Sequence, residues 1–232
     1  QLTGQSVANS PAEYQRETVL ITRVIDGDTV KDSTGQSYRL LGVNTPEKKK
    51  PYYQEAKDFL IIEVENKSVE LLRDKEDTDR YKRKLRYLFY EDRVINVEIL
   101  EKGLATSFML EELKYKDKLV SAENFARQSE IGLWMKSSDK CTDCIKLVKL
   151  DAIEDYFVIK NSCEFDCNLK DWLVKDDANH FFSLNDLISG EGKKYDSKEI
   201  FKAEIWNDAG NRFFMRDGEG GLVVFYEYNH NL

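Results

Sequence analysis

The sequence predicts an α+β domain followed by an all-β domain, over residues 18–137 and 141–232. In the first part, short β-branched runs alternate with three segments whose apolar residues recur at helical spacing. In the second part, only short strand-like segments follow one another, separated by Asn, Asp and Gly. Between them, the polar stretch Lys136–Lys140 interrupts both patterns, and this places the boundary there.

Four strand-like segments begin the first domain. The segment from Thr18 to Val30 carries branched residues and bends through Asp26-Gly27-Asp28, a typical turn sequence. Further strands are predicted at Ser37–Val43, Lys67–Arg73 and Leu85–Tyr90.

Three helices accompany these strands. The first is marked by Ala56, Phe59, Leu60 and Val64; the second begins at Asn96 and ends at the capping Gly103; the third is marked by Leu119, Ala122, Phe125 and Ala126. Short strands with a few flanking helices predict an OB-fold-like five-stranded barrel with about three helices, a kind of barrel that binds oligonucleotides.

The second domain contains seven strand-like segments. They are Ile145–Leu150, Tyr156–Lys160, Trp172–Val174, Phe181–Leu184, Phe201–Trp206, Phe213–Met215 and Leu222–Tyr228. Their short length and even spacing predict an immunoglobulin-like β-sandwich.

Charge and hydropathy exclude some classes of protein. The net charge is −8, which is unusual for a protein that binds polyanions through bulk charge alone. Residues 1–139 carry 23 basic and 25 acidic side chains, whereas residues 140–232 carry 12 and 18, so the excess acidity belongs to the second half. The longest apolar runs, such as Phe59–Ile62, are far shorter than the roughly 20 residues of a transmembrane helix.

The N-terminal residues bear on location. The sequence starts at Gln1, and the stretch to Glu17 is polar, as after removal of an export signal. A trimmed chain would have the same appearance. We therefore expect a secreted or cell-surface protein, with a cytoplasmic one as the alternative, and we expect a monomer.

Three motifs carry the chemistry of the first domain: Asp26-Gly27-Asp28-Thr29, Arg39 to Glu47, and Asp77 to Arg83. The Asp28 carboxylate, the Asn44 amide oxygen and the Thr45 carbonyl are hard oxygen donors of the kind that Ca²⁺ prefers. Arg39 and Arg83 are suited to hold a phosphate through paired hydrogen bonds. Glu47 lies beside them in sequence and is a candidate to activate a water molecule.

Lysines also cluster in this domain. For Lys48-Lys49-Lys50 on its own, a solvated face is the simpler interpretation.

The order and spacing of the three motifs resemble those of the staphylococcal nuclease (thermonuclease) family. The resemblance covers roughly Thr18 to Met135 and includes the later Gly103-Leu104-Ala105 and Gly132-Leu133-Trp134 segments. It implies Ca²⁺-dependent hydrolysis of DNA and RNA, single-stranded or locally unpaired, to products with a 3′-phosphate.

The resemblance also implies a role for each motif residue. Asp28 and Asn44 ligate calcium by side chain and Thr45 by its carbonyl, with Asp26 supporting them from behind. Arg39 and Arg83 hold the scissile phosphate, and Glu47 is the general base. Tyr81 contacts a phosphate, and Lys82 is an additional candidate contact.

Three departures from the family pattern affect these expectations. Asn44 stands where many members carry Asp, which predicts weaker calcium binding. Lys82 replaces a glycine often found before the second arginine, which adds a phosphate contact or strains the turn. Phe108 is the sole aromatic residue near the position of the family's base-stacking pair, and we favour a core role for it.

The second domain resembles a lamin-tail domain. The resemblance is carried by Asp155 to Asn161, by Cys167 to Trp172, by Ile205 to Asn211 and by Arg216-Asp217-Gly218-Glu219-Gly220. It implies a non-catalytic binding or anchoring module whose partner is unknown. Trp172 and Trp206 are then core residues. The two histidines, His180 and His230, are expected to be ordinary surface or core residues.

The four cysteines lie in the second domain, as Cys141-x2-Cys144 and Cys163-x3-Cys167. Two disulfides, a structural Zn²⁺ site and free thiols are all compatible with this spacing. Two disulfides are favoured in an exported protein.

The sequence thus predicts an active calcium-dependent nuclease with a C-terminal binding domain. The alternative is a scaffold that binds nucleic acid or protein without catalysis. Retention of Arg39, Glu47 and Arg83 favours the enzyme, because such scaffolds typically lose these residues.

Overall fold

The computed structural model describes residues 16–109, 112–206 and 210–228, which form two compact units. The first contains residues 16–49 and 53–125, and the second contains Lys50–Tyr52 and the described residues from 126 onward. In this part of the chain, none of the helices has the length and apolar character needed to cross a membrane. His230 and residues 207–209 of the lamin-tail motif lie outside the described residues.

The first unit is a closed barrel with three helices. Its strands are β1 (Glu17–Asp26), β2 (Thr29–Asp32), β3 (Ser37–Leu40), β4 (Val43–Asn44), β5 (Ser68–Leu72), β6 (Lys84–Tyr90), β7 (Arg93–Val94) and β8 (Thr106–Ser107). Antiparallel pairing joins β3, β2, β1, β5 and β6 in that order, and a parallel pairing of β3 with β6 closes the ring. The prediction of a five-stranded barrel with about three helices is confirmed.

Strand β1 is bent by two irregularities in its pairing with β2. The register shifts between Ile21 and Arg23 and again between Val24 and Asp26. Each shift increases the local twist of the strand, as β-bulges do. The second one lies directly before the Asp26–Asp28 turn and therefore sets the direction in which that turn projects.

The helices are α1 (Tyr53–Val64), α2 (Ile95–Glu101) and α3 (Lys116–Gln128). Helix α1 buries Ala56, Leu60 and Val64, one residue per turn. Helix α2 is fixed to the barrel by the fully buried Asn96, whose amide accepts from Leu88 N (2.8 Å) and donates to the carbonyl of Leu41 (2.9 Å). The position of α2 therefore depends on a polar side chain as well as on apolar packing.

The second unit contains two antiparallel sheets. Its strands are β9 (Ile145–Asp151), β10 (Tyr156–Asn161), β11 (Leu173–Lys175), β12 (Phe181–Ser183), β13 (Gly192–Asp196), β14 (Asn211–Arg216) and β15 (Leu222–Tyr228), with a short helix α4 (Ser197–Phe201). One sheet has the order β13-β10-β9 and the other β12-β11-β14-β15. Buried residues of both sheets belong to one apolar cluster, which also includes Trp172 and Trp206 from the connections between strands. The immunoglobulin-like and lamin-tail assignments stay predictions.

One predicted strand in this unit is wrong. The segment Phe201–Trp206 contains the end of helix α4, which starts at Asp196 as N-cap and stops at Lys202 in the left-handed conformation. The backbone N–H groups of Ile205 and Trp206 then donate to the carboxylate of Asp155. Conversely, β13 was not predicted, because its lysine-rich sequence lacks the alternation of a half-buried strand.

The four cysteines form two disulfides, Cys141–Cys167 and Cys144–Cys163. Three of the sulfurs, those of Cys141, Cys163 and Cys167, lie within 4.8 Å of one another. Paired sulfurs offer no thiolate to a metal ion, so this arrangement follows the disulfide alternative rather than the zinc alternative.

Candidate active site

The turn between β1 and β2 packs closely against its surroundings. A Cβ atom on Gly27 would lie 2.7 Å from Ala56 Cβ on helix α1 and 2.9 Å from Thr45 Oγ1, closer than real Cβ contacts. Only glycine allows this approach, which brings the turn against both α1 and the segment after β4. The two carboxylates that flank Gly27 are thereby held at fixed positions.

Asp28 is 6% exposed, and both its oxygens have partners. Its Oδ1 accepts from Thr29 Oγ1 (2.9 Å), and its Oδ2 accepts from Thr45 N and Thr45 Oγ1 (both 3.2 Å). Asp28 N donates to Asp26 Oδ1 (3.2 Å). Burial, together with the nearby charge of Asp28, raises the pKa of Asp26 to about 6.

Arg39 on β3 connects the first motif with the second. Its Nη1 donates to the carbonyl oxygens of Val43 (2.8 Å) and Leu40 (3.2 Å), which fixes the guanidinium plane. Its Nη2 lies 3.2 Å from Asn44 Oδ1 and 3.4 Å from Asp28 Oδ2. The two side-chain oxygens predicted to bind a metal ion therefore converge on one nitrogen atom.

The short ladder between β4 and β8 positions Asn44 and Thr45. Asn44 pairs with Thr106 in this ladder, and Thr45 is buried. The exposed Glu47 follows two residues later, in the segment that leads to α1. Glu47 is thus the last residue of its motif, and the structure leaves it exposed to solvent.

Helix α3 supports this ladder through a residue that the sequence analysis missed. The buried Glu123 accepts from Ser107 N (2.7 Å) and from Ser107 Oγ (2.6 Å). A glutamate next to Ala122 on the apolar face of a helix was the signal that could have identified it, because a buried carboxylate requires partners.

Arg83 is aimed by a tight turn. Asp79 accepts from Tyr81 N and Arg83 N (both 2.9 Å) and from Arg83 Nε (2.7 Å). Burial of Asp79 would raise its pKa, but these hydrogen bonds and the charge of Arg83 outweigh burial and hold the pKa below its usual value. The Arg83 side chain is thereby tethered to its own turn.

Thr29 joins the first motif to the third. Arg83 Nη1 donates to Thr29 Oγ1 (3.0 Å), and the same hydroxyl donates to Asp28 Oδ1. This hydroxyl therefore forms a hydrogen-bonded link between Asp28 and Arg83, which lie 55 positions apart in sequence. From the sequence, no role is predicted for Thr29 beyond its place in the motif.

The departure from the family pattern at Lys82 falls at a backbone position of this turn that favours glycine. This residue has φ 63°, in the left-handed region where glycine is favoured.

Tyr81 is 64% exposed, and the guanidinium carbons of Arg80 and Arg83 lie 4.8 and 5.4 Å from its ring centre. An exposed ring between two cations is accessible to a substrate.

Phe108 is half-buried and donates its backbone N–H to the carbonyl of Gly42 (3.0 Å). The core role favoured for Phe108 stays a prediction, because a half-buried residue is compatible with a core and with a stacking position.

Comparisons with known proteins agree with the motifs. Residues 37–136 match the family model described as "Staphylococcal nuclease homologue". The chain is 35% identical over 128 residues to a thermonuclease of Staphylococcus hyicus, covering 51% of this chain and 76% of that protein. It is 34% identical over 135 residues to a thermonuclease of Staphylococcus intermedius, covering 54% and 80%. It is 31% identical over 149 residues to endonuclease YncB of Bacillus subtilis, covering 58% and 71%.

Proposed function

The chain belongs to the staphylococcal nuclease family, and we propose that it is a calcium-dependent nuclease that cleaves DNA and RNA to 3′-phosphate products. That it is a nuclease, a hydrolase of phosphodiester bonds, follows from its relatives. One observation best supports the rest of the proposal: Asp28 forms an ion pair with Arg39 and is linked to Arg83 through the Thr29 hydroxyl.

The donor atoms fit a calcium ion. Asp28 Oδ2 and Asn44 Oδ1 approach the same guanidinium nitrogen, so both oxygens face one location. A carboxylate, an amide oxygen and the Thr45 carbonyl make a hard-oxygen set of low charge, which Ca²⁺ accepts in flexible geometry. When bound, calcium would supply positive charge to the phosphate and to the attacking water.

The protein side chains supply the remaining steps. In the proposed reaction, Glu47 takes a proton from water while the water oxygen bonds to phosphorus. Arg39 and Arg83 donate hydrogen bonds to the non-bridging oxygens as negative charge accumulates there. The bond from phosphorus to the 5′ oxygen breaks, and the leaving oxygen takes up a proton from solvent water as the 5′-hydroxyl.

The decisive experiment incubates the full chain with single-stranded DNA and with RNA, in calcium, in magnesium and in chelator. We expect cleavage in calcium, none in chelator, and a phosphate on the 3′ end of each product. Cleavage that persists in chelator, or products with a 5′-phosphate, would contradict the proposed chemistry.

Asn44 provides a sharper test of the metal site. Asn44→Asp restores a carboxylate at a proposed ligand and should lower the calcium concentration needed for half-maximal activity. Asn66→Asp is a matched control, because Asn66 lies after α1 and outside the motifs. An unchanged calcium requirement in Asn44→Asp would remove Asn44 from the ligand set.

The second unit suggests where the enzyme works. The two disulfides support the proposal that the protein is secreted or displayed at a cell surface, since such bonds persist in oxidising compartments. We propose a binding or anchoring role for this unit.

A further inference from the structure

The sheet formed by β13, β10 and β9 has one buried and one outward face. The buried face carries Phe157, Ile159 and Tyr195. On the outward face, the pairing register arranges nine residues in three rows: Asp196, Tyr156 and Asp151; Lys194, Val158 and Lys149; Gly192, Lys160 and Lys146. Four lysines thus occupy one face in the acidic half of the chain, and we call Lys146, Lys149, Lys160 and Lys194 the lysine face.

Charge is balanced at one end of the lysine face only. Lys149 pairs with Asp151 (2.9 Å), and Lys194 pairs with Asp196 (3.0 Å). At the other end, Lys146 stands directly opposite Lys160 across the strand pair, and both are exposed. Like charges in such a cross-strand position destabilise a sheet. Within the described residues neither lysine forms an ion pair, so this end stays positively charged.

The charged end is sterically open. Gly192 stands beside Lys160 on the next strand, and an added Cβ there would meet only the carbonyl oxygen of Ile159, at 3.6 Å. On the other side, β9 is an edge strand of its sheet, and its bulge residue Val148 is 59% exposed. An extended polymer can therefore approach the lysines without displacing a side chain.

We propose that the lysine face binds the phosphate backbone of a nucleic-acid strand, as a second nucleic-acid site in addition to the active site. Lys146 and Lys160 lie opposite each other on strands about 4.8 Å apart, and their long side chains can each contact a phosphate of one strand. Lysines are point charges on flexible stems and bind phosphates without reading bases. The choice of nucleic acid over another polyanion rests on the proposed function, because the same chain acts on that polymer.

The test uses the full chain with Lys146→Glu and Lys160→Glu combined. Affinity for a single-stranded DNA of about 30 nucleotides is measured in chelator as a function of salt. We expect about tenfold weaker binding near 50 mM salt, and a salt slope smaller by about 1.4, because two phosphate contacts are lost. The matched control combines Lys170→Glu with Lys202→Glu, which makes the same charge change on exposed lysines outside this sheet, and should change binding much less.

The proposal fails if the two double variants bind the strand equally, whatever the size of the loss. It also fails if strand binding is unchanged while binding to vesicles of one-third phosphatidylserine and two-thirds phosphatidylcholine is lost, since the face would then serve a membrane surface. Cleavage of a tetranucleotide in calcium tests the proposed function separately. Absence of that cleavage in the unmodified chain refutes the nuclease chemistry and leaves the binding result to be judged by itself.

Discussion

Two buried carboxylates, Asp28 in the barrel and Asp155 in the second unit, have similar positions and different partners. Each lies in the connection between two antiparallel strands, and each is nearly or fully buried. Asp155 accepts from the backbone N–H groups of Ile205 (3.0 Å) and Trp206 (2.7 Å). Asp28 accepts from two hydroxyls and one backbone N–H, and faces the Arg39 guanidinium.

The difference indicates a structural role for Asp155 and agrees with the metal-binding role that we propose for Asp28. Backbone donors have no alternative use, so Asp155 serves to hold a loop. A guanidinium and hydroxyls can turn to a ligand, and they connect Asp28 to Arg83. The partners of a buried acid therefore indicate its role better than burial alone.

The largest expected effect tests the barrel side of this comparison. Arg83→Ala should lower kcat by about 10²–10³, because one donor to the charged transition state is lost. The unfolding free energy should fall by no more than about 1.5 kcal/mol, because Arg83 loses its hydrogen bonds to Asp79 and Thr29 at a partly exposed position. Arg93→Ala is the control, because the ion pairs that Arg93 forms in the described structure are with the half-buried Glu63 and Glu98, outside the motifs, and it should keep full turnover. Equal turnover in Arg83→Ala and Arg93→Ala would exclude Arg83 from the reaction.

The next effect tests the second unit. Asp155→Ala leaves two backbone N–H groups without their acceptor and should lower the unfolding free energy by about 3 kcal/mol. Turnover per folded molecule should be unchanged. Denaturant unfolding and a calcium cleavage assay measure the two quantities. Asp151→Ala, which removes only a surface ion pair, should cost much less than Asp155→Ala. A loss of turnover without a loss of stability in Asp155→Ala would contradict the structural role assigned to Asp155.

A third prediction concerns Asp79, which combines both types of partner. Asp79→Asn should cost about 1.5 kcal/mol near neutral pH, because hydrogen bonds to a charged acceptor are weakened. The pKa of Asp79 is lowered in the folded state, so its contribution is complete above the ordinary value of about 3.9 and is lost as pH falls through the folded value. Unfolding curves of the two proteins should converge only below about pH 4. A difference that stays constant through acid would show that the Asp79 charge contributes nothing.

The smallest expected effect concerns the lysine face. Lys160→Glu replaces a like-charge pair with Lys146 by an opposite pair and should raise the unfolding free energy by about 0.5 kcal/mol. High salt should reduce this gain, since both side chains are exposed. Thermal unfolding at two salt concentrations measures it, with Lys170→Glu as the control for the change in net charge. A destabilised Lys160→Glu protein would mean that Lys146 and Lys160 do not repel each other.

Local sequence information was sufficient for most of the barrel and for the motif residues. Asp28, Arg39 and Asn44 each lie in a recognisable motif, and the structure joins their side chains. The left-handed conformation at Lys82 was also foreseeable, because glycine commonly occupies that position. These features depend on neighbours in the chain or on motif order.

Features that depend on distant partners could not be predicted. Glu123 on helix α3 accepts a hydrogen bond from Ser107 on strand β8. Asp155 accepts one from Ile205, which lies 50 positions away in sequence. The failure at Phe201–Trp206 has the same origin, because its apolar side chains are buried without a strand ladder. Alternation of apolar and polar residues indicates burial. It does not distinguish a strand from a loop whose N–H groups donate hydrogen bonds to a distant carboxylate.

The Cys144–Cys163 disulfide has a topological consequence. These cysteines flank the hairpin of β9 and β10, so the hairpin is a closed covalent ring that carries three lysines of the lysine face. The turn of this ring contains Ile153, which is 72% exposed and accessible to proteases. A cut there would open the ring without separating the fragments, which the disulfides would keep joined until a reductant released them.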